Sequence, residues 1–186
     1  MSGEGWAEPW MFPLPWPPLA DPATQIGLRP WGAGEDDAAA LAAAWIDPEV
    51  ARWTSVPPEP TEEAARSWIR GEESRRARGL AMDLVISQLD EPRVILGEVG
   101  LIMVEPDARW AELGYWVAAD RRGSGRASAA VSMFAEWVLR ELPVNRLFAR
   151  TSAENPAAGR VAQAAGLDQA GELETGTQVW IRDRAR

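Results

Sequence analysis

Ala111-Glu-Leu-Gly-Tyr-Trp-Val117-Ala-Ala-Asp-Arg-Arg122-Gly-Ser-Gly125-Arg-Ala127 is the stretch on which the reading of this chain turns. Its first seven residues read as a strand, so Glu112 and Trp116 share one face and Tyr115 points the other way. The residues that follow form a loop rich in Gly and Arg, and a helix begins at its end. Glycine lets a backbone approach a ligand closely and adopt positive φ. The first N–H groups of a helix have no partner within it. With Arg121, Arg122 and Arg126 set against the single acid Asp120, this junction suits a phosphate-bearing anion. A solvated basic turn with no ligand is the plainer alternative.

Outward from this junction the elements alternate. Residues 25–29 form a short strand, and Gly34 to Trp45 an Ala-rich helix that Asp47-Pro48 ends, with a turn running on to Trp53. Thr61 caps a helix reaching about Arg78, with Glu62 and Glu63 in its first turn. Strands follow over 80–88, 93–104 and 109–118. The helix over 125–139 buries Ala127, Ala130, Val131, Phe134 and Val138, which fall on one face. A strand covers 146–151. Asn155 then caps a helix with Pro156 in its first position, and Gly166 closes it. Strands over 168–173 and 177–182 finish the chain. The pattern predicts an α/β domain of three layers around a mixed sheet.

The whole chain has 186 residues, enough for one domain with its own core. Residues 1–24 hold six prolines among Trp6, Trp10, Met11, Phe12 and Trp16. They read as an extended N-terminal segment, either a strap across the domain or a partner subunit, or a disordered leader. Residues 25–182 form the domain, and 183–186 a short tail. Without a basic, uninterrupted apolar leader or a membrane-length apolar run, the expectation is a soluble, cytoplasmic protein with no membrane partner.

Composition narrows the chemistry. The net charge of −9 argues against a nucleic-acid partner. Cys and His are absent, and all 19 basic residues are Arg. Thiolate, Ser-His-Asp and Schiff-base catalysis are therefore excluded, as is a Walker lysine. No carboxylate cluster has metal-ligand spacing, so no metal is expected. Catalysis is left to carboxylates, hydroxyls, backbone N–H groups and a bound cosubstrate.

The loop lacks the third glycine of a dinucleotide fingerprint. What it carries is Arg122-x-x-Gly125-x-Ala127. At this point the sequence resembles the GNAT family of acetyl-CoA-dependent N-acetyltransferases, whose phosphate loop reads Gln/Arg-x-x-Gly-x-Gly/Ala. The likeness is closest to the branch of ribosomal-protein N-terminal acetyltransferases that modify alanine or serine termini. Ile26-Gly-Leu-Arg-Pro30, Leu96-Gly-Glu-Val-Gly-Leu101, Glu112–Val117 and Asn155–Leu167 resemble further stretches of that branch, in order, across about residues 25–182.

The resemblance implies a mostly antiparallel sheet with splayed central strands and acetyl-CoA as cosubstrate. The pantetheine arm would pair with the backbone at Trp116 and Val117. The diphosphate would sit on Gly123, Ser124, Gly125 and Ala127, with Arg122 and Arg126 beside it, and Asn155 would touch the pantetheine or thioester region. Trp53 stands where the family often lines the acceptor site, with core packing as the alternative.

An attacking amine must be neutral, and with no His a carboxylate is the natural proton acceptor. Glu112, on the face of Trp116, is the first candidate and Glu98 on the neighbouring strand the second. The bland alternative is that Glu112 only pairs with an Arg in the sheet. Two departures from the family stand out: Arg160-Val161-Ala162 offers no Tyr to protonate the leaving thiolate, and Ala158 replaces the Ser common in the ribosomal branch. Direct transfer to a primary amine, on a protein N-terminus or a small molecule, is therefore one reading. A non-catalytic CoA-binding regulatory or structural module is the other, with a homodimer open in either case. A nucleotide-binding protein using the same loop is a third.

Overall fold

A computed structural model describes residues 11–32, 34 and 36–185. Along the chain run β1 (Ala20–Asp21), β2 (Ile26–Pro30), α1 (Asp37–Ile46), α2 (Pro48–Trp53), α3 (Glu62–Arg70), α4 (Glu72–Ala77), β3 (Ala81–Gln88), β4 (Ile95–Glu105) and β5 (Trp110–Val117). They are followed by α5 (Arg126–Glu141), β6 (Arg146–Ser152), α6 (Pro156–Ala164), β7 (Asp168–Glu172) and β8 (Thr177–Asp183). One sheet takes the order β1-β2-β3-β4-β5-β6-β8-β7. Neighbours are antiparallel except β5 and β6, whose parallel ladder runs only from Trp110↔Arg146 to Glu112↔Phe148. The sheet therefore opens at its middle, as the expected splay requires.

Alternation along the strands builds two cores. Met82, Leu84, Ile86, Val99, Leu101, Ala111 and Leu113 face α5 and α6, where Val131, Phe134 and Val138 are fully buried. Each such side chain contributes about 1.5–3 kcal/mol relative to exposure. On the opposite face Val85 and Trp116 meet Trp31, Leu41, Trp45, Val50 and Ala65 from the α1–α3 side. Helices on both faces give the three layers.

Two helical stretches differ from the sequence expectation. Asp47-Pro48 does end α1, but the same pair starts α2. Asp47 accepts from the N–H groups of Glu49 (2.8 Å) and Val50 (3.4 Å), and Pro48 takes the first position, where its missing N–H costs nothing. The helix expected from Thr61 to Arg78 is two helices. Thr61 caps the first as expected. At Gly71 the Trp68 carbonyl receives the Gly71 N–H (3.1 Å) and Nη1 of Arg75 (3.1 Å), which breaks the ladder.

Phe12 is fully buried in the first core. Its N–H donates to the Arg76 carbonyl (3.0 Å) and its carbonyl accepts from Arg76 Nη1 (3.1 Å), which fixes this point of the N-terminal segment to α4. Met11 and Trp16 are exposed, and Trp6 and Trp10 lie outside the described residues. Among the described residues no helix is long and apolar enough to cross a membrane.

Candidate active site

Two cavities meet at Trp116. The first, about 520 Å³, runs along the open edge of β5 to the start of α5. It is lined by Tyr115, Trp116 and Val117, by every residue from Arg121 to Ser128, and by Asn155 and the first turns of α6. Glu49, Val50, Trp53 and Thr54 close it from the α2 side. All nine residues expected to hold a cosubstrate thus share one cavity wall.

The loop has the local geometry its glycines permit. Gly123 (φ 77°) and Gly125 (φ 75°) are both left-handed, and a Cβ on either would meet nothing within 4 Å. Their space is open, so it is the backbone angle that calls for glycine there. Gly125 caps α5, whose first N–H groups lack intrahelical partners. Ser124 Oγ donates to the Arg121 carbonyl (3.0 Å), which tightens the turn. Arg122 Nε donates to the Val117 carbonyl (3.0 Å), and its Nη2 meets Asp47 Oδ2 (3.0 Å). Asp47 thereby caps α2 and ties it to the loop, a role the sequence reading did not assign. Asn155 Oδ1 accepts from the Ala158 N–H (3.2 Å) as the expected cap of α6. Arg52 reaches from α2 to Glu154 (2.6 Å) on the far side of the cleft. This donor set of guanidiniums, helix-start amides and an unpaired strand edge fits a diphosphate carrying an extended arm.

The second cavity, about 540 Å³, lies under α1 and α3, with Trp45, Val56, Pro57, Trp68 and Trp116 among its walls. Among the described residues Glu98 is the one ionisable group in its lining. Glu98 Oε2 accepts from Trp31 Nε1 (2.7 Å) and Oε1 from Trp116 Nε1 (3.1 Å). Burial, with the nearby charge of Asp83, outweighs those two donors and pushes the Glu98 carboxyl up to about 8. Asp83 is itself pushed up to about 7, chiefly by burial, with Arg75 (3.9 Å) opposing and Glu72 adding to the shift.

Glu112 stands elsewhere. It shares the face of Trp116, as its spacing requires, but pairs with Ile102 further along β4 and lines neither cavity. Both its oxygens are held by Arg150, at 2.9 and 2.7 Å. Tyr115 points to the opposite face, as expected, yet it is not only core. Its hydroxyl donates to the Ala158 carbonyl (2.7 Å) and its ring lines the first cavity. Trp53 lines that same cavity, while Trp31 and Trp68 were not singled out from sequence as site residues. Among the described residues no group of three or more acids could hold a metal ion.

A three-layer α/β domain with a cleft at a broken strand pair and an Arg/Gly helix start has the architecture of an acyl-group transferase. The chain matches the acetyltransferase (GNAT) domain over residues 25–168, so it belongs to that family and is an acetyl-CoA-dependent acetyltransferase of the GNAT type. Among curated relatives, an uncharacterized N-acetyltransferase p20 of Bacillus licheniformis is 29% identical over 64% of this chain and 67% of its own length. The ribosomal-protein-serine acetyltransferase of Escherichia coli (strain K12) is 26% identical over 55% of each, so the chain spans little more than half of that relative. Among solved structures, spermidine N-acetyltransferase from Vibrio cholerae, in complex with CoA and spermine, shares the fold. Its TM-score is 0.73, at 15% identity over 87% of this chain and 96% of that one.

Proposed function

We propose that the protein transfers the acetyl group of acetyl-CoA directly to a primary amine, with Glu98 accepting the amine proton. The observation that carries this reading is the meeting of the two cavities at Trp116. The wall of one is rich in phosphate-binding groups, and the lining of the other holds a single carboxylate among the described residues. Acetyl-CoA, when bound, supplies the acyl group already activated as a thioester. Gly123 to Ala127 and the guanidiniums of Arg122 and Arg126 hold its diphosphate. Trp116 and Val117 offer backbone groups to the pantetheine arm, and Asn155 shapes the wall facing them. The titratable floor group is matched to its task, because a base works best when its pKa lies near the working pH. Trp31 and Trp116 fix its orientation by donating to one oxygen each.

Glu112, the first candidate from sequence, is better suited to holding β5 against β6. Its bidentate partner Arg150 occupies both acceptor oxygens where the splay begins. No Tyr stands on α6 at 160–162, so the departing thiolate takes its proton from water or leaves as the anion. The test is thiol release from acetyl-CoA across a panel of amines, with Glu98→Gln and Glu112→Gln beside wild type. Loss in the first variant alone supports the assignment, and loss in the second alone moves the base to Glu112. CoA binding without thiol release for any amine supports the non-catalytic module instead.

A further inference from the structure

Accepting the transfer reading above, the second cavity has a shape that selects among amines. Its walls are built from three indoles and three aliphatic residues: Trp45, Trp68, Trp116, Val56, Pro57 and Ala64. Among the described residues the polar lining apart from Glu98 is hydroxyl and uncharged. Trp68 stands on α3 and is held on several sides. Its ring stands at 88° to Trp31 (centroids 6.3 Å apart) and at 90° to Trp45 (6.5 Å), and the Arg75 guanidinium lies 4.3 Å from its centroid. The protein's own contacts therefore hold this wall in place, so little conformational freedom is lost when a ligand packs on it.

We infer that the acceptor is a monoamine carried on a flat apolar body, an arylalkylamine or an aromatic amino-acid derivative, with its nitrogen at Glu98 and its ring against Trp68.

Three acceptor chemistries can be weighed against this lining. A polyamine brings a second ammonium, and among the described residues the lining offers no second carboxylate to receive it; an unpaired cation taken out of water is costly. A terminal Ser or Ala leaves the indole walls against water, giving up the apolar contact they are built to make. An aryl ring uses both features of the cavity, the apolar walls and the single carboxylate, and a volume of about 540 Å³ is in the range of small-ligand sites. The deep acids Asp83 and Glu72 do not change this count. Asp83 faces Arg75, and Glu72 is occupied by Arg76 (2.9 Å), so neither lines the cavity.

The test uses the full chain. Protein saturated with CoA, which cannot react, is titrated calorimetrically with 2-phenylethylamine, spermidine and Ser-Ala amide. The same three are assayed for thiol release with acetyl-CoA. Phenylethylamine is expected to show a Kd and a KM at least about tenfold lower than either competitor. Trp68→Leu should lose that preference and Trp68→Phe keep most of it, with an unchanged CoA Kd in both variants showing that the fold is intact. Equal or tighter binding of spermidine or the dipeptide amide overturns the inference. So does an unaltered preference in a Trp68→Leu protein that still binds CoA. Phenylethylamine binding with no thiol release from any amine upholds the pocket's selectivity and overturns the transfer reading instead.

Discussion

Glu98→Gln removes one proton-accepting group and changes almost nothing in shape. In the structure each carboxylate oxygen receives one indole N–H, from Trp31 at 2.7 Å and from Trp116 at 3.1 Å. An amide has a single acceptor oxygen, so one indole loses its partner. That costs about 1–3 kcal/mol, offset in part because a neutral group no longer resists burial. The catalytic consequence is larger. With the Glu98 carboxyl pushed up to about 8, only about one tenth of the wild-type protein carries the base ionised at pH 7, and about nine tenths at pH 9. At saturating acetyl-CoA, kcat/KM calculated on the neutral amine should therefore climb about tenfold between those values. The Gln variant should lack that limb and run about 10²–10⁴-fold slower at its top. The assay is thiol release from pH 6.5 to 9.5, read as kcat/KM with the neutral fraction of the amine taken from its own titration, because kcat/KM reports the groups of the protein before the amine binds. Asp83→Asn is the internal control: removing a negative neighbour lowers the Glu98 value and moves the limb to lower pH. A Glu98→Gln protein within threefold of wild type, with its pH limb in place, would refute the reasoning.

Three other outcomes follow from the same geometry. Glu112→Gln should leave kcat within about twofold and stability within about 1 kcal/mol, because its partner Arg150 is solvent-exposed; steady-state rates and a thermal melt check both. Gly125→Ala forces a side chain onto a φ of 75° with no steric contact to blame, so the cost is conformational, about 1–2 kcal/mol, and should appear as weaker CoA binding by titration calorimetry. Asp83 and Glu98 both titrate above their unfolded values, so the folded state holds protons that the unfolded state has already released. Stability should be greatest below about pH 4.5 as far as this pair is concerned and fall as pH rises toward 7–8; melts across pH 5–8.5 should show Tm declining, with a shallower slope in Glu98→Gln.

What the sequence made legible is what depends on neighbours in the chain. The φ of Gly123 and Gly125, the caps at Thr61 and Asn155, the buried stripe of α5 from Ala130 to Val138 and the opposite facing of Glu112 and Tyr115 all follow from spacing and residue type, whereas Ala127, expected in that stripe, is only half-buried and lines the first cavity. The surroundings of Glu112 and Glu98 did not follow, because strands pair in space. Arg150, 38 residues from Glu112, takes up the first carboxylate, and Trp31, 67 residues from Glu98, orients the second. Spacing places Glu112 on the right face but says nothing of how far along that face the cavity lies. The α2 helix went unread for a different reason. Asp-Pro ends one helix and begins another with the same two residues, and only the N–H groups that Asp47 receives tell which. Gly71 is likewise compatible with a continuous helix until Arg75 reaches the Trp68 carbonyl.

The position of the coenzyme is decisive, and a crystal structure of the protein with CoA measures it directly. It should show the diphosphate within hydrogen-bonding distance of the N–H groups between Gly123 and Ala127, and the pantetheine arm along β5 beyond Glu112, where its ladder with β6 stops. A diphosphate bound away from this loop, or an arm that leaves the β5 edge empty, would contradict it.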